Sequence, residues 1–155
     1  MQAYFLDTSA LVKRYVREPG SQWLRSVLKG RRKRPTYVAM LAEIEFVAAI
    51  ARRQRAGDLT AAQSVEVIRL FGRHWVTQHS VIAWTESLSR EAAVFAQRFA
   101  LRANDAIQLA SVFVVHQFRG EVSLPAITLL SSDLELNDAA RALGILVQDP
   151  ATVSG

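Results

Sequence analysis

Four acidic residues sit where apolar runs stop or helices start: Asp7, Glu45, Asp105 and Asp133. Asp7 ends the run Ala3-Tyr4-Phe5-Leu6 and is followed by Thr8-Ser9. Asp133 follows Ile127-Thr128-Leu129-Leu130-Ser131-Ser132. Glu45 stands at the head of an Ala- and Arg-rich stretch, and Asp105 opens Asp105-Ala106-Ile107-Gln108-Leu109-Ala110. In an open α/β sheet, functional groups gather at the carboxyl ends of the strands and the adjoining helix starts. Carboxylates meeting there make a negative pocket that is tolerable around a hard divalent cation such as Mg²⁺ or Mn²⁺. Such an ion activates water, orients a phosphodiester and steadies the leaving oxygen, so hydrolysis needs no His, Cys or Lys. Taken singly, each acid also reads as a helix cap or a surface charge; their joint placement favours a site. Glu43 competes with Glu45 for its role, and Glu135 or Asp138 is placed to assist Asp133. His74, His79 and His116 have no metal-ligand spacing and read as surface or satisfied core residues.

The elements that must position these acids alternate along the chain. A strand over Met1–Leu6 precedes a helix over Ala10–Val16, broken at Glu18-Pro19-Gly20. A second helix starts at Ser21 and stops near Gly30, and a short strand follows over Thr36–Val38. The next helix runs from Leu41 to about Ala56, with Ile44, Val47, Ala48 and Ala51 as its apolar stripe. Helices over Ala61–Phe71 and Glu86–Leu101 flank a strand within Thr77–Trp84. Asn104 caps a helix reaching Phe118, Gly120–Pro125 is a loop, and a strand covers Ala126–Leu130. Leu134–Leu143 is helical, Ile145–Val147 is a last strand, and the tail from Pro150 is loose. Short apolar strands alternating with helices predict an α/β fold, with a mostly parallel sheet covered on both faces. The strands before Asp7 and Asp133 are near-continuous apolar runs, so they belong at its centre.

A chain of 155 residues, half of them apolar, is one domain's worth. It has no cysteine, which excludes a disulfide framework and a thiolate zinc site. No apolar stretch approaches the ~20 residues that a bilayer span needs, and Asp7 interrupts any signal-peptide pattern. The expectation is a cytoplasmic protein with no membrane partner. The formal net charge is +5, with Arg31-Arg32-Lys33-Arg34 and Arg52-Arg53 as its densest clusters. These suit a polyanion's phosphates, or equally a solvated surface. Arg52, seven residues after Glu45, is expected on the same helix face.

These phrases resemble the PIN-domain nucleases, in particular the VapC-type toxins of bacterial toxin–antitoxin pairs. Tyr4-Phe5-Leu6-Asp7-Thr8-Ser9-Ala10-Leu11-Val12-Lys13 is similar to that family's opening. Glu45 followed by Phe46-Val47-Ala48-Ala49-Ile50-Ala51-Arg52-Arg53 is similar to its glutamate helix. Leu101-Arg102-Ala103-Asn104-Asp105 through Ala110 matches its central aspartate helix, and Leu130-Ser131-Ser132-Asp133 with Ala139 to Ile145 its C-terminal segment. The resemblance implies a PIN-like three-layer α/β/α sandwich over residues 1–149, with 150–155 as a flexible tail. It implies an Mg²⁺- or Mn²⁺-dependent endoribonuclease, with Asp7, Glu45, Asp105 and Asp133 as metal-binding and catalytic acids and Ser9 as an auxiliary hydroxyl. It further implies a toxin that cuts tRNA or rRNA to arrest growth, and a homodimer. A cognate antitoxin would cover an apolar groove near the first helices, where Tyr15 and Trp23 are candidate lining residues. Arg31, Arg32, Lys33, Arg34, Arg52 and Arg53 are the candidates to hold RNA. Two alternatives stay open. One is a haloacid-dehalogenase-like phosphatase, which also opens on an apolar strand ending in Asp but wants a second acid where Ser9 stands. The other is a catalytically silent nucleic-acid-binding module.

Overall fold

A computed structural model describes residues 1–29 and 34–153. In chain order the elements are β1 (Ala3–Leu6), α1 (Thr8–Lys13), α2 (Ser21–Lys29), β2 (Thr36–Ala39), α3 (Leu41–Ala56) and α4 (Ala61–Gln78). Then come β3 (Ser80–Ile82), α5 (Glu86–Phe99), α6 (Ala103–Glu121), β4 (Ile127–Leu130), α7 (Leu134–Ala142) and β5 (Leu146–Gln148). The strands form one sheet in the order β3-β2-β1-β4-β5, and every pairing is parallel. The strand order reverses between β1 and β4, which makes their carboxyl ends the topological switch point. Both strands are fully buried, as their apolar runs require.

Side-chain alternation sorts the sheet into two cores. Ala3, Phe5, Ile127 and Leu129 pack beneath α5, α6 and α7, on residues such as Phe95, Leu109 and Leu136. Tyr4, Leu6, Val38 and Leu130 face α1 to α4, meeting Leu11, Leu24, Phe46 and Phe71. The result is a three-layer α/β/α sandwich with an all-parallel sheet, as the alternation of elements predicts.

Several boundaries and one face differ from expectation. The buried stripe of α3 is Ala42, Phe46 and Ile50, whereas Ile44 is 69% exposed and Val47 38%. The two apolar stripes lie side by side on this helix, and the large ring decides between them. Phe46 stacks on Phe71 with centroids 3.9 Å apart, an area of contact that Val47 cannot offer. Helix α4, started by a reciprocal capping box at Thr60, continues past Phe71 and through Gly72 to Gln78. Helix α6 starts one residue before Asn104, with Arg102 at the N-cap and no side-chain cap bond. In place of a loose end, Pro150–Thr152 form a 3₁₀ turn capped by Asp149, with Pro150 buried. Gly20, at φ 84°, lies so close to that turn that a Cβ there would overlap the Pro150 carbonyl. Ser154 and Gly155 lie outside the described residues. No helix among the described residues is long and apolar enough to cross a membrane.

Candidate functional site

Each of the four acids is delivered to the carboxyl edge of the sheet by its own element. Asp7 follows β1 directly, and its amide donates to the Leu130 carbonyl at the end of β4 (3.1 Å). It also caps α1: its Oδ1 accepts from the Ser9 amide (2.8 Å). Its Oδ2 accepts from the Ser9 hydroxyl (2.8 Å) and the Ser131 hydroxyl (2.6 Å). Burial pushes the Asp7 carboxyl up to about 6. The hydrogen bonds from Ser131 and Ser9 hold it down against that rise, and the charge of Glu45 adds to it.

Asp133 is the N-cap of α7, with Oδ1 accepting from the Leu136 amide (2.9 Å). Ser131 ties the two strand ends together, because its hydroxyl donates to Asp7 and accepts from the Asp133 amide (3.0 Å). Ser9 completes the junction by accepting from the Ser132 amide (2.9 Å).

Glu45 lies one turn inside α3, not at its opening, and is half-buried; Glu43 is exposed. Thr8 donates its hydroxyl to Glu45 Oε2 (2.5 Å), and Gln108 donates Nε2 to the same oxygen (2.8 Å) and to Thr8 (3.1 Å). Gln108 is 2% exposed, and its Oε1 has no hydrogen-bond partner among the described residues. Turning the amide over would set Oε1 against the carboxylate, so the charge of Glu45 decides the orientation. Asp105 occupies the first turn of α6, one turn before Gln108 on the same side of the helix. Burial raises its pKa, Arg102 opposes the rise, and the charges of Asp133 and Glu45 add to it.

The four acids therefore form one electrostatic group. Arg102 closes it: Nε meets Asp105 Oδ2 at 3.0 Å and Nη2 meets Asp133 Oδ2 at 3.4 Å. Among the described residues no three His, Cys, Asp or Glu side chains converge tightly enough to hold an ion by themselves. The donor set is all oxygen, and two of the carboxylates share one cation, Arg102. That set fits a hard cation that takes one or two carboxylates directly and keeps most of its water. It does not fit a closed cage.

The other sequence candidates scatter. Glu135 is exposed, and Asp138 is spent on Arg141 (2.9 Å). Arg53 pairs with Glu18, which also takes Lys13 (3.1 Å), and Arg52 is exposed. Arg34 is half-buried ahead of β2; Arg31, Arg32 and Lys33 lie outside the described residues. Tyr15 packs edge-on against Phe46 and Phe71. Trp23 lines a cleft of about 690 Å³ whose wall is charged, not apolar, with Arg17, Glu18, Arg25 and Lys29. Thr8, Gln108, Ser131 and Arg102 are the polar residues that sequence reasoning passed over. Asp149 is a fifth acid at this edge, accepting from the Ser132 hydroxyl (2.6 Å). The only signal for them was adjacency: Thr8 beside Asp7, Gln108 one turn past Asp105, Ser131 two residues before Asp133.

No protein-family model matches the sequence, and no curated protein does. Solved structures do match, over nearly the whole chain. VapBC2 from Rickettsia felis, bound to a DNA fragment from its promoter, is similar with a TM-score of 0.65 at 10% identity, covering 94% of this chain and 97% of that one. FitAcB from Neisseria gonorrhoeae gives 0.62 at 15% identity over 97% and 99%. A toxin–antitoxin complex from Klebsiella pneumoniae gives 0.56 at 15% identity over 95% and 97%. At these identities the likeness is one of fold. The chain has the PIN-like α/β/α fold of the VapC-type proteins, as its four acidic phrases led us to expect.

Proposed function

We propose that this chain is a divalent-metal-dependent endoribonuclease of the PIN type and the toxin member of a toxin–antitoxin pair. The observation that carries the reading is the electrostatic grouping of Asp7, Glu45, Asp105 and Asp133 at the β1/β4 switch point. Residues from four separate elements share that edge, which capping alone does not explain. Bound Mg²⁺ or Mn²⁺ would supply the charge that activates water and neutralises the phosphodiester in the transition state. The chain's own residues position the donors. Ser9 and Ser131 hold Asp7 in one rotamer, and Thr8 with Gln108 holds Glu45 by Oε2. Glu45 Oε1 and Asp105 Oδ1 take no hydrogen bond from the described residues and are the oxygens available for a cation or its waters. Single-stranded loops are the substrates such an open edge suits, since their backbone is accessible.

The toxin role draws on the structural neighbours, which include a toxin–antitoxin complex. A cognate antitoxin and a homodimeric assembly belong to the same proposal. Inducible bacterial expression of wild type and Asp105→Ala, with end-mapping of total RNA, tests it. Growth arrest with discrete new RNA ends in wild type alone is the expected result. Intact RNA with turnover of a small phosphate monoester would replace it by the phosphatase reading. Intact RNA and no turnover in folded protein would leave a silent binding module.

A further inference from the structure

Arg102 stands where its charge opposes its own helix. A cation at the N-cap opposes the helix macrodipole, and Arg102 makes no side-chain capping bond to α6, a helix of 19 residues. Its guanidinium instead spans Asp105 and Asp133, whose side chains are only 14% and 26% exposed while its own is 75% exposed. The same arginine feels the charge of Glu135 as well. Its contacts are thus confined to the acidic edge, and its side chain can leave without disturbing the core.

We infer that Arg102 is the resident counter-cation of the acidic site, holding Asp105 and Asp133 together in the metal-free protein and competing with the divalent ion for them. This role rests on the metal-site reading above. Three properties follow. The fork bridges two carboxylates from different helices, α6 and α7, so it keeps the two helix starts in register before metal arrives. A planar guanidinium can meet both acids at once, which a lysine ammonium at the same position does less well. Because the pair is exposed, the clasp is weak enough for a dication to displace, and the displaced guanidinium remains at the rim of the site.

The test is Mn²⁺ binding, followed by electron paramagnetic resonance on the full chain at low salt, for wild type, Arg102→Gln, Arg102→Lys and Asp105→Asn. Thermal melts with and without Mn²⁺ establish that each is folded. Arg102→Gln is expected to bind Mn²⁺ about three- to tenfold more tightly than wild type, with Arg102→Lys in between. Its melting temperature without metal should fall below wild type, and the difference should close at saturating Mn²⁺. In the background of Asp105→Asn, the Arg102→Gln gain should shrink, because the two changes then act on a shared contact. Binding by Arg102→Gln that equals or falls below wild type would overturn the counter-cation role while leaving the metal site standing. Absence of Mn²⁺ binding in both would overturn the metal site itself, and the role with it.

Discussion

At the scale of single residues, Asp7 carries the strongest conflict in the molecule. It is buried, it accepts three hydrogen bonds, and its pKa still stands at about 6 instead of the ordinary 3.8. A raised carboxyl pKa means the folded chain holds the proton more tightly than the unfolded chain does. The stability that proton contributes is full below about pH 4 and lost as pH rises through about 6. At neutral pH the deficit is about 2–3 kcal/mol. Metal-free protein should therefore melt at lower temperature at pH 7.5 than at pH 5. Asp7→Asn should raise the pH 7.5 melting temperature by about 5 °C, flatten that pH dependence and abolish RNA cleavage. Scanning calorimetry of both proteins across pH 5 to 8 checks the stability half. An unchanged melting temperature and an unchanged slope would mean that Asp7 is not the buried charge described here.

At the scale of elements, α3 shows why the burial of a stripe is a tertiary decision. It carries small and apolar residues around much of its surface, so both the Ile44/Val47/Ala48/Ala51 stripe and the Ala42/Phe46/Ile50 stripe are available. The second wins because Phe46 enters an aromatic group with Tyr15 and Phe71. That outcome also sets Glu45 beside Thr8 and Gln108, at the edge of the buried face. Phe46→Ala should cost about 3–5 kcal/mol in urea unfolding, whereas Ile44→Ala should stay within about 0.5 kcal/mol. Equal costs for the two would reverse the assignment of the buried face.

At the scale of the whole molecule, the chain is basic while its candidate site is acidic. The net charge of +5 attracts a polyanion, and the acids repel it unless a cation intervenes. Binding of a single-stranded RNA oligonucleotide should consequently weaken steeply with salt, because phosphate contacts release counterions. It should also tighten when Ca²⁺, as a non-hydrolytic ion, is added. Fluorescence anisotropy between 50 and 300 mM KCl measures both effects. A flat salt response would show that the arginine-rich surface does not contact the substrate. The cleft beside Trp23, with Arg17, Arg25 and Lys29, is a second basic wall that this titration would engage.

The sequence by itself determined the alternation of strands and helices and the central position of the strands before Asp7 and Asp133, and it offered four acids as candidates for the sheet's carboxyl edge. Those features follow from local pattern: an apolar run of four residues that ends in Asp is a buried strand meeting a helix start, wherever it lies in the chain. Only the tertiary structure decided what holds each acid. Ser131 reaches Asp7 across 124 positions, Gln108 reaches Glu45 across 63, and Arg102 reaches Asp133 across 31. Periodicity reports which side of an element is buried, not which polar group waits on the other side of the contact. The same limit hid the loss of Arg53 to Glu18, 35 positions away, since a charge in a sequence carries no mark of a distant partner. Acids become a candidate site only once packing has brought four elements to one edge and left an arginine between two of them.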